Sequence, residues 1–345
     1  MSTQAPTRPR TVPLATPPAR AGGLLAIAGL LLVVCLSSIA YGSLKIPIGD
    51  VIEALIDPRD VDQHAVVRDA RLPRTLIGVA VGAALGVAGA VIQGMTRNPL
   101  ADPGILGIEA GAAFMVVVAI FLLGVSTVAG YAWFALAGAA VAGVLVYSIG
   151  ASGGWRAAPI NLALAGAAVA ALLVALTSAV LAIDANVLNQ YRFWIVGSVA
   201  GRELDVLIGT LPFLGLGFLL AFASGRSLNA LALGEDVARS LGQRVRLNQA
   251  IISAAFILLT GAAVAVAGPI VFVGLTVPHA ARALIGPDYR WLLPYCALLG
   301  AILLLVADVI GRVVARPSEV DVGIIMAVVG TPVFIALVRR RTFEL

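Results

Sequence analysis

The sequence has little charge for its length. Only 12% of its 345 residues are Asp, Glu, Lys or Arg, whereas a soluble globular domain has about 25%. Hydrophobic residues make up 60% of the chain, and the mean hydropathy is +1.02. Several apolar runs reach the roughly 20 residues that a helix needs to cross a bilayer. This composition excludes an ordinary soluble domain and predicts an integral membrane protein.

Cysteine, histidine and lysine, whose side chains bind metals or phosphates in many sites, are also scarce. The two cysteines, Cys35 and Cys296, lie in apolar runs and lack the paired spacing of a disulfide framework or a metal site. The two histidines, His64 and His279, are too few for a histidine-rich metal or haem site. The single lysine, Lys45, is not preceded by glycine, so the chain has no phosphate-binding loop. We expect no cofactor or metal in this chain, and any ATP-driven step requires a partner that binds ATP.

Ten apolar segments predict an all-α membrane protein with ten transmembrane helices. They are residues 23–43, 75–96, 104–124, 130–150, 160–183, 204–223, 248–268, 270–285, 291–311 and 322–338. The eighth segment is short and contains Pro278, so we expect a broken or partly inserted helix there. Residues 1–22, rich in proline and arginine, predict a disordered basic tail. Residues 23–338 then form a single membrane domain, and 339–345 form a second short tail.

Charge predicts the orientation of this domain. An even number of spans places both termini on one side of the membrane. With the termini inside, the inner segments hold fourteen of the 23 basic residues and six of the 18 acidic ones. Because basic residues are enriched in cytoplasmic loops, we expect both termini and the loop 224–247 to be cytoplasmic.

Loop 224–247 is the only long polar stretch in the second half of the chain, and it predicts a short helix on the membrane surface. Gly234 stands at its start, and Glu235 and Asp236 occupy the first turn, where the helix dipole favours anions. Glu235 and Arg239 are four residues apart and can pair. Such a helix between two spans predicts a docking surface for a soluble partner. A helix bound only to lipid headgroups is the alternative, although an anionic leaflet would repel its two acids.

A row of glycines follows one face of the second span: Gly78, Gly82, Gly86 and Gly89. Because each glycine costs about 1 kcal/mol against alanine in a helix, this face indicates a close approach by another backbone or by a solute. The alternative explanation is ordinary packing of small residues within the chain. Gln93, one turn before the end of the span, either lines a pathway or bonds a neighbouring helix. Prolines in the turn that follows, RNPLADP, end the helix.

Four ordered blocks of the sequence resemble the FecCD family of permeases, the membrane subunits of type II ABC importers for iron–siderophores, haem and cobalamin. The blocks are residues 71–114 (RLPR, the glycine face and QGMTRNPLADPGILGIEAGA), LALGEDVARSLG (231–242), GPIVFVGLTVPHAAR (268–282), and LLGAILLLVADVIGR (298–312) with SEVDVGIIMAVVGTPVF (318–334). The resemblance extends from about residue 24 to residue 338. One departure is Asp321, which stands where the family commonly has a proline two residues after Glu319.

The resemblance implies that two permease subunits, identical or similar, face each other in a bacterial inner membrane and pass the solute between them. A substrate-binding protein would dock outside, and two ATPase subunits would hold ATP and Mg inside. ATPase coupling falls on Gly234, Glu235, Asp236, Arg239, Ser240, Leu241 and Gly242. Docking of the binding protein falls on Arg71, Arg74 and Arg312, for which anchoring of helix ends at the headgroup level is the alternative. Residues that line the pathway or support it are Gly82, Gly86, Gln93, Arg97, Asn98, Pro99, Pro278 and His279.

The sequence therefore predicts the permease subunit of an ATP-driven importer, with no enzymatic activity of its own and an iron–siderophore-type chelate as cargo. Haem or cobalamin is the alternative cargo within the same family. An ion-gradient-driven transporter would need acids within the membrane as proton relays, but nearly all carboxylates lie at span ends or in loops. Asp308, which does lie in a span, is four residues from Arg312 and predicts a structural ion pair rather than a relay. An intramembrane enzyme would need a nucleophile–base or metal constellation, for which we find no convincing candidate.

Overall fold

The computed structural model describes residues 13–14, 16–57, 59–152 and 158–339, and its regular secondary structure there is entirely helical. A π-helical turn (Val66–Arg71) leads into α4, and a 3-10 turn (Pro103–Leu106) precedes α5. The helices are α1 (Pro17–Ala40), α2 (Ile48–Ile56), α3 (Asp62–Ala65), α4 (Leu72–Thr96), α5 (Ile108–Leu123), α6 (Val128–Ser152), α7 (Ala158–Ile183), α8 (Ala185–Ile195), α9 (Leu204–Ala223), α10 (Gly225–Ala232), α11 (Glu235–Ser240), α12 (Val245–Ala267), α13 (Val273–Ile285), α14 (Tyr289–Val314) and α15 (Val322–Arg339).

The all-α prediction is confirmed, and a helix lies at each of the ten predicted segments. Seven helical stretches among the described residues are long and apolar enough to cross a membrane, and they contain α1, α4, α6, α7, α9, α12 and α14. Helix α5 is apolar but has only 16 residues, and α13 has 13. The apolar part of α15 is also shorter than a full crossing. Helix length thus supports seven crossings directly, and the other three predicted segments form shorter helices.

Of the two alternatives predicted for the eighth segment, the break at Pro278 is wrong, because α13 continues through this residue, whereas partial insertion stays a prediction. Proline lacks the N–H that would bond the carbonyl four residues earlier, which here belongs to Gly274. That carbonyl instead accepts a hydrogen bond from Gln93 Nε2 of α4, at 3.1 Å. A side chain of a neighbouring helix therefore replaces the missing backbone bond, so the helix tolerates its proline.

The predicted disordered tail over 1–22 is wrong for residues 17–22, because α1 begins at Pro17. Prolines occupy the first positions of this helix, where the missing N–H has no helical partner to lose. The segment before α1 is also bonded: the N–H of Leu14 donates to the Leu284 carbonyl at 3.0 Å, and Arg20 Nε donates to the Leu14 carbonyl at 3.1 Å. Arg339, assigned to the second predicted tail, is instead the last residue of α15. Residues 1–12, 15 and 340–345 of the two predicted tails lie outside the described residues.

Helices α4 and α12 form the centre of the bundle. Most residues of both are buried, whereas in α1 only Ser38 and Ile39 are buried. The glycine face of α4 explains how it packs so closely: a Cβ at Gly82 would lie 2.5 Å from the Gly300 carbonyl oxygen of α14. A Cβ at Gly86 would meet the Cys296 carbonyl, also on α14. These glycines bring the backbones of α4 and α14 into contact within one chain, as the packing explanation of the glycine row expects.

The bundle has two ends at which polar residues gather. At the loop end, the segment before α1, the loop between α9 and α12, and the junction of α13 with α14 lie together. At the arginine end, the last turn of α1 meets the start of α4 and the last turns of α14. Segments with the same predicted membrane side therefore share one end of the bundle.

Candidate functional site

Helix α11 at the loop end has glycines at both boundaries, as the sequence predicted. Gly234 precedes it with a φ of +108°, and Gly242 follows it with a φ of +78°. The N–H of Gly242 donates to the Arg239 carbonyl at 2.9 Å, which ends the helix in the left-handed turn that glycine favours. A side chain at either glycine would be strained, so both residues fix where this short helix begins and ends.

One face of α11 attaches the helix to α12. Glu235 Oε2 pairs with Arg239 Nη2 at 3.5 Å, and Glu235 Oε1 accepts a hydrogen bond from Gln249 Nε2 of α12 at 3.0 Å. The Glu235 side chain is only 12% exposed, and Ala238 beside it is buried. Glu235 therefore holds α11 in place within this chain.

The opposite face of α11 points away from the chain. Asp236 has a side chain that is 81% exposed, and Leu241 is 62% exposed. Val237 is 44% exposed, and the Ser240 hydroxyl donates to the Asp236 carbonyl at 2.9 Å. An exposed leucine and valine beside an acid form a mixed surface, which is what a helix offers to a protein groove.

Gln93, on α4, is fully buried and bonds neighbouring segments. Its Nε2 donates to the carbonyls of Gly274 (3.1 Å) and Ala101 (3.3 Å), and its Oε1 accepts from Arg282 Nη1 at 2.7 Å. Both ends of the amide are therefore satisfied inside this chain. Arg282 is a site residue that the sequence predictions missed, although it ends the VPHAAR block.

The turn after α4 ends the helix as expected. Arg97 caps α4 in a left-handed conformation with a φ of +51°, and Asn98 Oδ1 accepts the N–H of Leu100 at 3.0 Å, across Pro99. His279 is partly exposed on α13, one residue beyond Pro278. No group of three or more metal-ligating side chains occurs among the residues that the structure describes.

At the arginine end, Arg71 and Arg312 cap the last turn of α1. Arg71 is 5% exposed and donates to the carbonyls of Ile39 (3.0 Å) and Ala40 (2.7 Å). Arg312 is 1% exposed and donates to the Ser38 carbonyl at 2.8 Å. The last carbonyls of a helix have no partner within it, and here two guanidinium groups from other segments supply one. This geometry fits the helix-anchoring explanation of both residues, while their docking role stays a prediction.

Arg74 is the third predicted docking arginine and the centre of an ionic cluster. It donates to Asp308 Oδ1 at 2.7 Å and to Glu319 Oε2 at 2.6 Å, and Asp308 also pairs with Arg312. The Asp308 side chain is 1% exposed, and that of Arg74 is 11% exposed. Asp308 thus makes the structural ion pair predicted for it, with Arg74 as an additional partner. A cavity of about 120 Å³ opens beside the cluster.

Glu319 gives this cluster a predictable dependence on pH. Burial opposes its ionisation, but hydrogen bonds and positive charge from Arg74, with Ser43 and Arg312 contributing, lower the pKa of the carboxyl below its ordinary value. A lowered pKa in the folded state stabilises the fold above the unfolded value of about 4.3, and this stability is lost as pH falls through the folded pKa.

We therefore expect Glu319→Gln to be less stable than the wild-type protein near neutral pH, by at most about 1 kcal/mol because the pair is partly exposed. The difference should shrink as the pH falls below about 4.3 and vanish once the pH lies below the lowered pKa of folded Glu319. Thermal unfolding in detergent across this pH range measures it. A difference that is independent of pH would contradict this role of the Glu319 charge.

Known proteins match this chain in sequence at both the loop end and the arginine end of the bundle. The sequence pattern of the FecCD transport family matches residues 30–340. The chain is 44% identical over 322 residues to the ferric enterobactin transport system permease protein FepD of Escherichia coli, covering 92% of this chain and 96% of that protein. It is 41% identical over 278 residues to the cobalamin import system permease protein BtuC of Halobacterium salinarum, covering 81% of this chain and 74% of that protein.

A solved structure gives the same result for the fold. An ABC transporter assigned to the metal-chelate type, in an inward-facing conformation, superposes with a TM-score of 0.80 at 28% identity. The match covers 93% of this chain and 99% of that chain. The helix bundle as a whole is therefore shared, including the loop end and the arginine end.

Proposed function

We propose that this chain, which belongs to the FecCD transport family and is the permease subunit of an ABC importer, carries an iron–siderophore-type chelate in an ATP-driven cycle. The similarity to the ferric enterobactin permease supports this cargo. The similarity to the cobalamin permease is nearly as high and makes cobalamin the second candidate. Membrane vesicles that hold the assembled importer, supplied with a ferric siderophore or with cobalamin, distinguish the two by which compound they accumulate.

The proposed assembly contains a second permease subunit, two ATPase subunits that bind ATP and Mg, and a binding protein outside the cytoplasm. The missing phosphate-binding loop supports ATPases on separate chains. The exposed face of α11 supports their docking at the loop end, and loop 224–247 is called the coupling loop from here on. Ten spans in a bacterial inner membrane, with both termini in the cytoplasm, complete the proposal. The distribution of basic residues and the shared end of the predicted inner segments support this orientation.

In this mechanism the chain performs no covalent chemistry. ATP binding draws the two ATPases together and displaces the exposed face of α11. Because Glu235 binds Gln249 of α12 at 3.0 Å, this displacement reaches a central membrane helix. The two permease subunits then change between inward-open and outward-open states, and the solute moves between them.

The exposed face of α11 provides the test of this proposal. We expect Leu241→Asp to lower recovery of a P-loop ATPase with the tagged permease by more than about tenfold, because a carboxylate forced into an apolar groove loses hydration. Leu241 is 62% exposed, so the substitution leaves the core of the permease unchanged. The measurement is a pull-down in mild detergent from native membranes, with mass spectrometry of every stoichiometric partner.

The matched control is Leu44→Asp, at a 60% exposed leucine of the arginine end. It should retain the ATPase. If the wild-type permease brings down no ATPase under conditions that preserve other membrane complexes, a gradient-driven transporter becomes the better hypothesis.

A further inference from the structure

We propose that Asp288 and Asn229 form a clamp that positions the coupling loop against α14, so that movement of the loop drives the membrane helices. Asp288 caps the first turn of α14, and Asn229 lies on α10 within the coupling loop. The inference rests on the proposed function, since it concerns how ATPase movement reaches the permease. It assigns a transmission role to two residues that lie outside the contact surface of α11.

The clamp is reciprocal. Asn229 Nδ2 donates to Asp288 Oδ1 at 2.7 Å, and Asn229 Oδ1 accepts the N–H of Tyr289 at 2.9 Å. One amide side chain therefore bonds both the capping residue and the first residue of α14. An N-terminal cap needs only the bond from the Arg290 N–H to Asp288, which is also present at 3.1 Å. The two bonds to Asn229 exceed what capping requires, and they join two separate elements.

On the loop side, the clamp holds a well-anchored helix. Leu228 and Leu231, on either side of Asn229, are buried. Helix α10 ends at Ala232, just before the Gly234 boundary of α11. A displacement of α11 therefore acts on α10 through a very short connection.

On the membrane side, Tyr289 continues the connection. It is 2% exposed, and its hydroxyl lies 3.3 Å from Arg282 Nη2 of α13. Arg282 in turn donates to Gln93 of α4 at 2.7 Å. Helix α14 also packs backbone to backbone on α4 through Gly82 and Gly300. A movement of the start of α14 is thus passed to α4 and α13 by direct contacts.

Arg20 ties a third element to the same carboxylate. Its Nη1 lies 3.8 Å from Asp288 Oδ2, and its backbone carbonyl accepts the Tyr295 hydroxyl at 2.7 Å. The start of α1, the coupling loop and α14 therefore meet at one side chain. Because Asp288 contacts all three elements, they move together as one body.

An exchange of the two side chains tests the clamp. Asn229→Asp places two carboxylates where one hydrogen bond of 2.7 Å now joins an amide to a carboxylate. We expect this variant to take up at least about fivefold less substrate per ATP hydrolysed in proteoliposomes that contain the whole importer. The double variant Asn229→Asp with Asp288→Asn restores one donor and one acceptor, and it should recover much of this loss. Asp288→Asn alone keeps an oxygen that can accept hydrogen bonds from Asn229 Nδ2 and from the Arg290 N–H. Its loss of substrate uptake per ATP should therefore be small.

The matched control is Asn248→Asp, because Asn248 Nδ2 bonds Gln243 within the same region, at 2.6 Å, and does not reach α14. The clamp is overturned if Asn229→Asp behaves like this control, or if the exchange restores nothing. If Asn229→Asp fails to assemble, the exchange variant decides: a normal ratio supports the clamp, and a reduced ratio or failed assembly contradicts it. Recovery of the ATPase with the wild-type permease is measured in parallel, so that failure of the importer proposal is distinguished from failure of the clamp.

Discussion

Replacement of Asp308 by asparagine is expected to lower the free energy of unfolding by about 3–5 kcal/mol, the usual cost of removing one partner from a buried ion pair. Asp308 is the acid between Arg74 and Arg312, and both its own side chain and that of Arg312 are 1% exposed. Asparagine keeps the size of the side chain but removes its charge. Arg312 would then remain buried with no carboxylate partner, held only by the carbonyls of α1 and the Ser38 hydroxyl.

Unfolding of the purified permease in mixed micelles, followed by helix content, measures this loss. Asp205→Asn is the matched control, because Asp205 is an exposed aspartate in the first turn of α9. Its substitution should change stability by less than about 0.5 kcal/mol. Equal losses in the two variants would show that the buried pair of Asp308 contributes no more to stability than an exposed aspartate does.

Gly82→Leu should also destabilise the protein strongly. A Cβ at this position would lie 2.5 Å from the Gly300 carbonyl oxygen and 2.8 Å from the Ala301 Cα, both backbone atoms of α14. A backbone cannot move aside as the end of a side chain can, so α4 and α14 must separate. Overpacking of this kind costs about 1–3 kcal/mol and sometimes more, and here it also separates the helices through which the clamp would act.

The same substitution at Gly29 is the control. Nothing lies within 4 Å of a Cβ at Gly29, on the exposed α1. Because leucine favours the helix over glycine by several tenths of a kcal/mol, Gly29→Leu should be neutral or stabilising. In one detergent, Gly82→Leu should therefore melt well below the wild-type protein, and Gly29→Leu should melt at the wild-type temperature or above it. Similar melting temperatures would contradict the close contact of α4 with α14.

The helices themselves could be predicted from local sequence signals. Apolar runs located the ten described helices of 13 or more residues, although not the shorter α2, α3 and α8, and Gly234 with Gly242 located the boundaries of α11. The two errors concern prolines. The proline-rich tail hides the start of α1 at Pro17, because a first-turn proline and a disordered proline look alike in sequence. Pro278 predicted a break, since the compensating Gln93 comes from another helix.

Contacts between distant residues explain what the sequence could not predict at the two ends. The Asp308–Arg312 pair was predictable because helical spacing brings its members together. Arg74 reaches the same carboxylate from 234 residues away, and Arg282 reaches Gln93 from 189 residues away. Neither spacing nor periodicity reports such pairs. Arg71 and Arg74 therefore had no partner that the sequence could predict, although the fold gives each of them one in the same chain.

The caps of α1 have a consequence for biosynthesis. Arg312 and Arg316 bond the end of α1 from 274 residues further along the chain, and Tyr295 bonds its start from 275 residues away. At about 5–20 residues per second, a ribosome needs roughly 15–55 s to supply these partners. During that interval the end of α1 relies on earlier partners such as Arg71, which bonds the Ile39 and Ala40 carbonyls from 32 and 31 residues away. The contacts of α1 are thus completed only when α14 arrives.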